Sequence, residues 1–165
     1  MDKNDIKLYL SGGASNYNPN ASLGGTISAT ELIDDDLHNL FDKVNPAESA
    51  DGDTEYRCFY IKNTHASLTL TSAQIFIDTN TPSPDTLIQI SVATEIGSPV
   101  QTIAGESMAP VGQVFSSAPN EGASLSLGDL TPGSVKAVWV KRSVTPGAAP
   151  FNDSAILKIF GQIIS

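Results

Sequence analysis

The sequence predicts an all-β fold, an antiparallel β-sandwich, on three observations. Residues 54–63, Thr-Glu-Tyr-Arg-Cys-Phe-Tyr-Ile-Lys-Asn, form the densest β-forming run. Phe59 and Ile61 fall on one side of it and Tyr56, Cys58 and Tyr60 on the other, because side chains alternate along a strand. A strand apolar on both faces is expected to be covered on both faces. Residues 135–144 repeat the pattern, with Val138 and Val140 opposite Ala137 and Trp139. Between such runs the chain is punctuated by Gly, Pro, Asn and Ser at turn spacing, with little helical periodicity.

The elements follow in order. Ile6, Leu8 and Leu10 alternate with Lys7 and Tyr9, predicting a first strand that Ser11-Gly12-Gly13 ends. Residues 14–25 read as a loop around Asn16-Tyr17-Asn18-Pro19-Asn20. Residues 26–29 could add a short strand. Residues 30–44 space Leu32, Ile33, Leu37, Leu40 and Phe41 in a roughly helical way after a potential Thr30 cap, predicting a short helix or an irregular segment. Residues 45–53 read as a loop. Residues 1–50 therefore form an N-terminal arm or accessory layer on a single domain.

Further strands are predicted at residues 68–78, 86–94, 124–127 and 155–164. Shorter ones are expected near residues 100–103 and 113–115, within a weakly patterned stretch broken by Pro99, Pro110 and Pro119. A strand ending in Asn63-Thr64, a second strand, and Leu127-Gly128-Asp129-Leu130-Thr131-Pro132-Gly133 before a long strand suggest an immunoglobulin-like sandwich. A jelly roll gives similar cues. With Phe59, Ile61, Ile75, Ile77, Val138, Val140, Leu157 and Ile159 inside, Tyr60, Phe76, Trp139 and Phe160 would share an outer face. Four aromatics on one face need a cover, either the chain up to Val44 or another subunit.

The chain has 165 residues, enough for one domain with its own core, and a net charge of −9. That charge opposes a phosphate backbone, so no nucleic-acid partner is expected. Charged residues are only 16% of the total, below the usual quarter or so. Lys141-Arg142, with Lys136 nearby, is the one dense basic cluster and reads as outward-facing strand residues. Cys58 is the single cysteine, so no intrachain disulfide is possible and a buried small hydrophobe is expected. The opening Met-Asp-Lys-Asn-Asp lacks an apolar signal region, and no apolar run is long enough to span a membrane. A soluble protein made in a reducing cytoplasm, with no membrane partner, is expected.

Chemistry-bearing patterns are sparse. His38 and His65 have no zinc-ligand spacing around them. Asp34-Asp35-Asp36 and Asp51-Gly52-Asp53 lack the spaced ligands of a calcium loop and read as turns. There is no Gly-x-Ser-x-Gly elbow and no phosphate loop. Asn20-Ala21-Ser22 and Asn152-Asp153-Ser154 match the glycosylation pattern but read as loop chemistry without a secretory route. A carbohydrate-binding or hydrolytic domain is the weakest reading, since Trp139 is the only Trp and no carboxylates pair up for glycoside chemistry. The expectation is a non-enzymatic protein with no cofactor and no metal.

Several stretches carry a resemblance. They are Leu8-Tyr9-Leu10-Ser11-Gly12-Gly13-Ala14, Pro19-Asn20-Ala21-Ser22-Leu23-Gly24-Gly25 and Leu40-Phe41-Asp42-Lys43-Val44. Gly52-Asp53-Thr54-Glu55-Tyr56-Arg57-Cys58, Lys62-Asn63-Thr64, Thr79-Asn80-Thr81-Pro82-Ser83-Pro84-Asp85 and Lys136-Ala137-Val138-Trp139 complete it. Together they resemble a family of small virion structural proteins of tailed bacteriophages. The resemblance implies a capsid decoration (cement) protein on the virion surface, bound to the major capsid protein. Alternatives on the same scaffold are a tail or neck component, or a module binding host-surface glycans. A cement protein is expected to be a homo-oligomer that binds through surface complementarity. Ile6, Leu8, Tyr9 and Leu10 are the candidates for an arm that adds a strand to a neighbour's sheet. Tyr60, Phe76, Trp139 and Phe160 are the candidates for an apolar interface.

Overall fold

The computed structural model describes residues 1–149 and 153–164. Its strands are β1 (Ile6–Leu10), β2 (Gly24–Gly25), β3 (Asp53–Asn63), β4 (Thr69–Thr79), β5 (Thr86–Val92), β6 (Val100–Thr102), β7 (Leu125–Leu130), β8 (Val135–Val144) and β9 (Ile156–Ile164). One short helix, α1 (Pro46–Asp51), precedes β3. The strands form a four-stranded sheet in the order β1-β3-β8-β5, a three-stranded sheet in the order β7-β4-β9, and a small β2-β6 ladder. Every pairing is antiparallel. The fold is therefore an antiparallel β-sandwich, with the two long apolar runs, β3 and β8, paired at the middle of the larger sheet.

The immunoglobulin-like connectivity is not what the strand order gives. There the last two strands are sheet neighbours; here β8 and β9 lie in different sheets. The nested pairings β3·β8 and β4·β7 are those of one long hairpin wound across two sheets, as in a jelly roll.

Period-two alternation sorts the side chains into two cores. Phe59 and Ile61 of β3, Val138 and Val140 of β8 and Ile88 and Ile90 of β5 face the other sheet. There they meet Leu70, Ala73, Ile75 and Ile77 of β4 and Leu127 and Leu130 of β7. On the far side of the larger sheet, Cys58, Tyr60, Ala137 and Trp139 form a second cluster with Ala93 and Val100, flanked by Ile27, Ile103 and Phe115. The chain thus supplies the cover itself: residues 22–27 and 93–103 make a third layer over Tyr60 and Trp139, both 0% exposed. Burying two such rings and a wall of aliphatics stabilises the layer by roughly 2 kcal/mol per large side chain.

Gly24 shows how tightly the third layer sits. Its φ is +88°, a left-handed value that side chains resist, and an added Cβ would lie 2.0 Å from the Gln101 carbonyl oxygen and 2.9 Å from Trp139 Cη2. Tyr60 Oη donates to the Gly25 carbonyl and accepts from the Val100 amide at 3.2 Å, tying both strands of the small ladder to β3.

Several expectations need correction. The four aromatics do not share one outer face. Tyr60 and Trp139 lie on the outside of the larger sheet, whereas Phe76 and Phe160 pack edge-to-face, 5.9 Å apart, on the outside of the smaller one. Residues 30–44 form no helix. Asp35 and His38 take left-handed backbone there, which breaks the apparent 3.6 period. The helix sits instead at residues 46–51, within the stretch expected to be loop. Asn45 caps it by accepting from the Ala47 and Glu48 amides, Glu48 reaches back to the Asn45 amide, and Pro46 holds the first position. Residues 113–115 form no strand; only Ser116 bridges, to Ile90. Of the two glycosylation patterns, Asn152 lies outside the described residues.

Candidate functional site

At one end of the larger sheet the apolar alternation of β3 and β8 turns ionic. Glu55 and Arg57 continue the inward row of Phe59 and Ile61, and Arg142 continues that of Val138 and Val140. Glu55 and Arg142 are cross-strand partners. All three are buried, Arg57 completely. Arg142 Nε donates to Glu55 Oε2 at 2.6 Å, and its guanidinium contacts the same carboxylate a second time. Arg57 Nη2 pairs with Glu106 at 2.5 Å and lies 3.5 Å from Glu55.

The segment 40–42 closes this end. The Phe41 ring stacks on both guanidinium groups, 4.8 Å from Arg142 Cζ and 5.5 Å from Arg57 Cζ. Arg142 Nη1 donates to the Asp42 carbonyl at 2.7 Å, and the Asp42 carboxylate lies 3.6–3.8 Å from both arginines. Burial pushes the Glu55 carboxyl up to about 7, against the pull of Arg142 and Arg57, which favours its charged form.

Arg142 is therefore no outward-facing strand residue; only its neighbour Lys141 is, bonded to Gln89 across the sheet at 3.3 Å. The local signal existed: a Glu and an Arg on the same parity as Phe59 and Ile61 must face the same way. Asp42 and Glu106 carry no such signal, because loops bring them in from outside the sheet.

Pairing and stacking hold the charges of the cluster in place. Cys58, the one thiol, is sealed in the third-layer cluster, and burial holds its pKa well above the ordinary value. His65 Nδ1 accepts from the Ser67 and Leu68 amides and serves a turn. Among the described residues no three His, Cys, Asp or Glu side chains gather as a metal site. A depression of about 440 Å³ is an open trough beside β5 lined by Asn80, Thr81, Asp85, Leu87 and Thr145, with a single ionisable group.

The interface candidates are distributed differently from expectation. β1 lies in its own sheet, paired with β3 along its whole length. Its other edge is taken by residues 28–32: Ser28 donates to the Leu10 carbonyl, Leu10 to the Thr30 carbonyl and Leu32 to the Leu8 carbonyl, at 2.8–3.0 Å. Ile6 and Leu8 pack against the main core, Leu10 is buried, and Tyr9 belongs to the third-layer cluster. This strand is not a free arm. Tyr60 and Trp139 are sealed and cannot form an interface, and Phe76 is 5% exposed. Phe160 remains half-buried on β9.

Other apolar side chains are the more exposed ones. Ile96, Met108, Val111 and Val114 stand more than half exposed on segment 93–116, part of which covers the larger sheet. From Asn63 to Val135 the chain carries no Lys or Arg.

No family model, curated protein or solved structure matches the chain.

Proposed function

We propose that the protein is a non-enzymatic structural component of a tailed-phage virion, a decoration protein that stabilises the head by binding the major capsid protein. The observation that carries this reading is the resemblance through residues 8–14, 19–25, 40–44, 52–58, 62–64, 79–85 and 136–139, taken with the exposed apolar side chains of segment 93–116. A decoration protein works through a broad complementary surface rather than a cleft. Exposed apolar side chains carried on a layer packed over the larger sheet are chemistry suited to that task.

Electron cryomicroscopy of the parent particle tests it. The reading expects density for this sandwich on the shell, repeated by the icosahedral symmetry, with segment 93–116 against the capsid surface. Density at a single ring of the neck or tail would replace the head reading with the tail one. A particle that lacks the chain altogether would remove both. Glycan-array binding by the isolated protein would favour the host-surface module instead.

A further inference from the structure

Of the four edges of the two main sheets, the chain itself closes two and blunts a third. The outer edge of β1 is bonded to residues 28–32, as above. On β5, the Thr86 carbonyl and both outward groups of Ile88 and Ile90 have partners. Thr81 Oγ1 donates to the Thr86 carbonyl. The Asn80 amide clamps both polar groups of Ile88, at 2.8 and 3.0 Å, and Ser116 exchanges two bonds of 2.9 Å with Ile90. β7 is short and bulged: Gly128 takes a φ of +77°, and its amide turns back to Ser126 Oγ. These are the ways proteins blunt an edge.

β9 is the exception. It runs nine residues without a bulge of its own, pairs with β4 on one side, and among the described residues nothing bonds to the other. The Gln162 carbonyl faces β4, where it accepts from Thr71 Oγ1. In a regular antiparallel strand the N–H and C=O of one residue point the same way and neighbours alternate. The outward groups are therefore those of Leu157, Ile159, Gly161 and Ile163. Ile156 and Ile163 are 53% and 55% exposed.

We propose that β9 pairs with β9 of a second copy across a twofold axis, joining two three-stranded sheets into one of six strands. The charge pattern favours a like partner. In a chain of net charge −9, residues 154–165 contain no acid and one base, Lys158. Antiparallel pairing centred on Phe160 sets outward groups against outward groups, Leu157 to Ile163 and Ile159 to Gly161. It places Phe160 against its symmetry mate and Lys158 against Gln162, so the two lysines stay about 13 Å apart at strand spacing. An aromatic pair at the axis and no opposed like charges is a favourable register. The contact is isologous and closes, so it yields a dimer, not a fibre. It does not depend on the virion reading.

Sedimentation velocity over a concentration series tests this, with three chains. Wild type is expected to be a dimer that dissociates on dilution. Ile163→Pro removes one outward N–H per copy at a side chain already mostly exposed. Two symmetric hydrogen bonds lost should weaken the dimer by about tenfold or more. Lys158→Cys/Gln162→Cys places two exposed thiols opposite each other at a non-hydrogen-bonded pair, within reach of a disulfide. On oxidation it should give a covalent dimer on a denaturing gel, and this decides the matter should the proline variant fail to fold. A wild-type chain that stays monomeric at its highest soluble concentration overturns the proposal. So does a dimer that survives Ile163→Pro and does not cross-link through the cysteine pair.

Discussion

Replacing Gly24 by Ala is the sharpest probe of the third layer. The φ of +88° strains any side chain, and the added Cβ meets the Gln101 carbonyl oxygen at 2.0 Å and Trp139 Cη2 at 2.9 Å. Neither neighbour yields cheaply: the first is backbone of β6, and the second belongs to a ring fully buried under the layer. Gly97 provides the control. Its φ is +76° and a Cβ there meets nothing within 4 Å, so Gly97→Ala carries the backbone strain alone. Strain at a left-handed position costs about 1–3 kcal/mol, and forcing an atom into packed space adds about 1–3 kcal/mol. Gly97→Ala should therefore lose about 1 kcal/mol and Gly24→Ala about 3 kcal/mol or more. For a chain of this size the second loss lowers Tm by roughly 6–12 °C. Trp139 is the only tryptophan, so its emission reports on the layer directly. A red shift in Gly24→Ala and none in Gly97→Ala is expected at a temperature where both remain folded. Equal melting temperatures for the two variants, with unshifted emission, would show that the 22–27 strap does not press on Trp139.

Three further outcomes follow from the charged end and the sheet edge. Glu55 has a folded pKa raised from 4.5 to about 7. Its protonation is thus coupled to folding: that contribution is whole below about pH 4.5 and is lost as pH rises through about 7, a span of roughly 3 kcal/mol. Relative to Glu55→Gln, which stays neutral, wild type should lose stability between pH 5 and pH 8 in urea titrations; parallel profiles for the two would refute the shift. Phe41→Leu keeps apolar contact but removes the ring from two guanidinium groups. It should cost about 1 kcal/mol, with a larger effect for Phe41→Ala, and the same denaturant titration checks both. Asn80→Ala strips the clamp from Ile88 and should cost about 2 kcal/mol. By opening β5 it should also bring concentration-dependent aggregation, measured by light scattering.

Much of the fold was legible because strand formation is local. The alternation in residues 54–63 and 135–144 gave two central strands within a residue of their observed ends, and Pro and Gly marked the turns. The helix at residues 46–51 was also written locally, in Asn45, Pro46 and Glu48, but its six residues bury no side chain and so left no apolar period. The apolar spacing across residues 30–44 misled because those groups dock one by one. Leu32, Leu40 and Phe41 pack on the core while Ile33 and Leu37 stay exposed.

By itself the sequence determined which residues extend, which turn, and that neighbours along a strand point to opposite faces, a rule that the outward reading of both Lys141 and Arg142 overlooked. A period of two is set by the backbone and needs no distant partner. Which of those two faces is interior, and so that Arg142 rather than Lys141 is buried against Glu55, was decided by where the second sheet and the 40–42 segment land. The same holds for Trp139, roofed by residues 22–27 and 93–103 from two distant parts of the chain, and for the edges. A strand's open side depends on which remote backbone reaches it, and only the assembled sandwich leaves that side of β9 bare while residues 28–32 and 80–81 and Ser116 reach the open sides of β1 and β5.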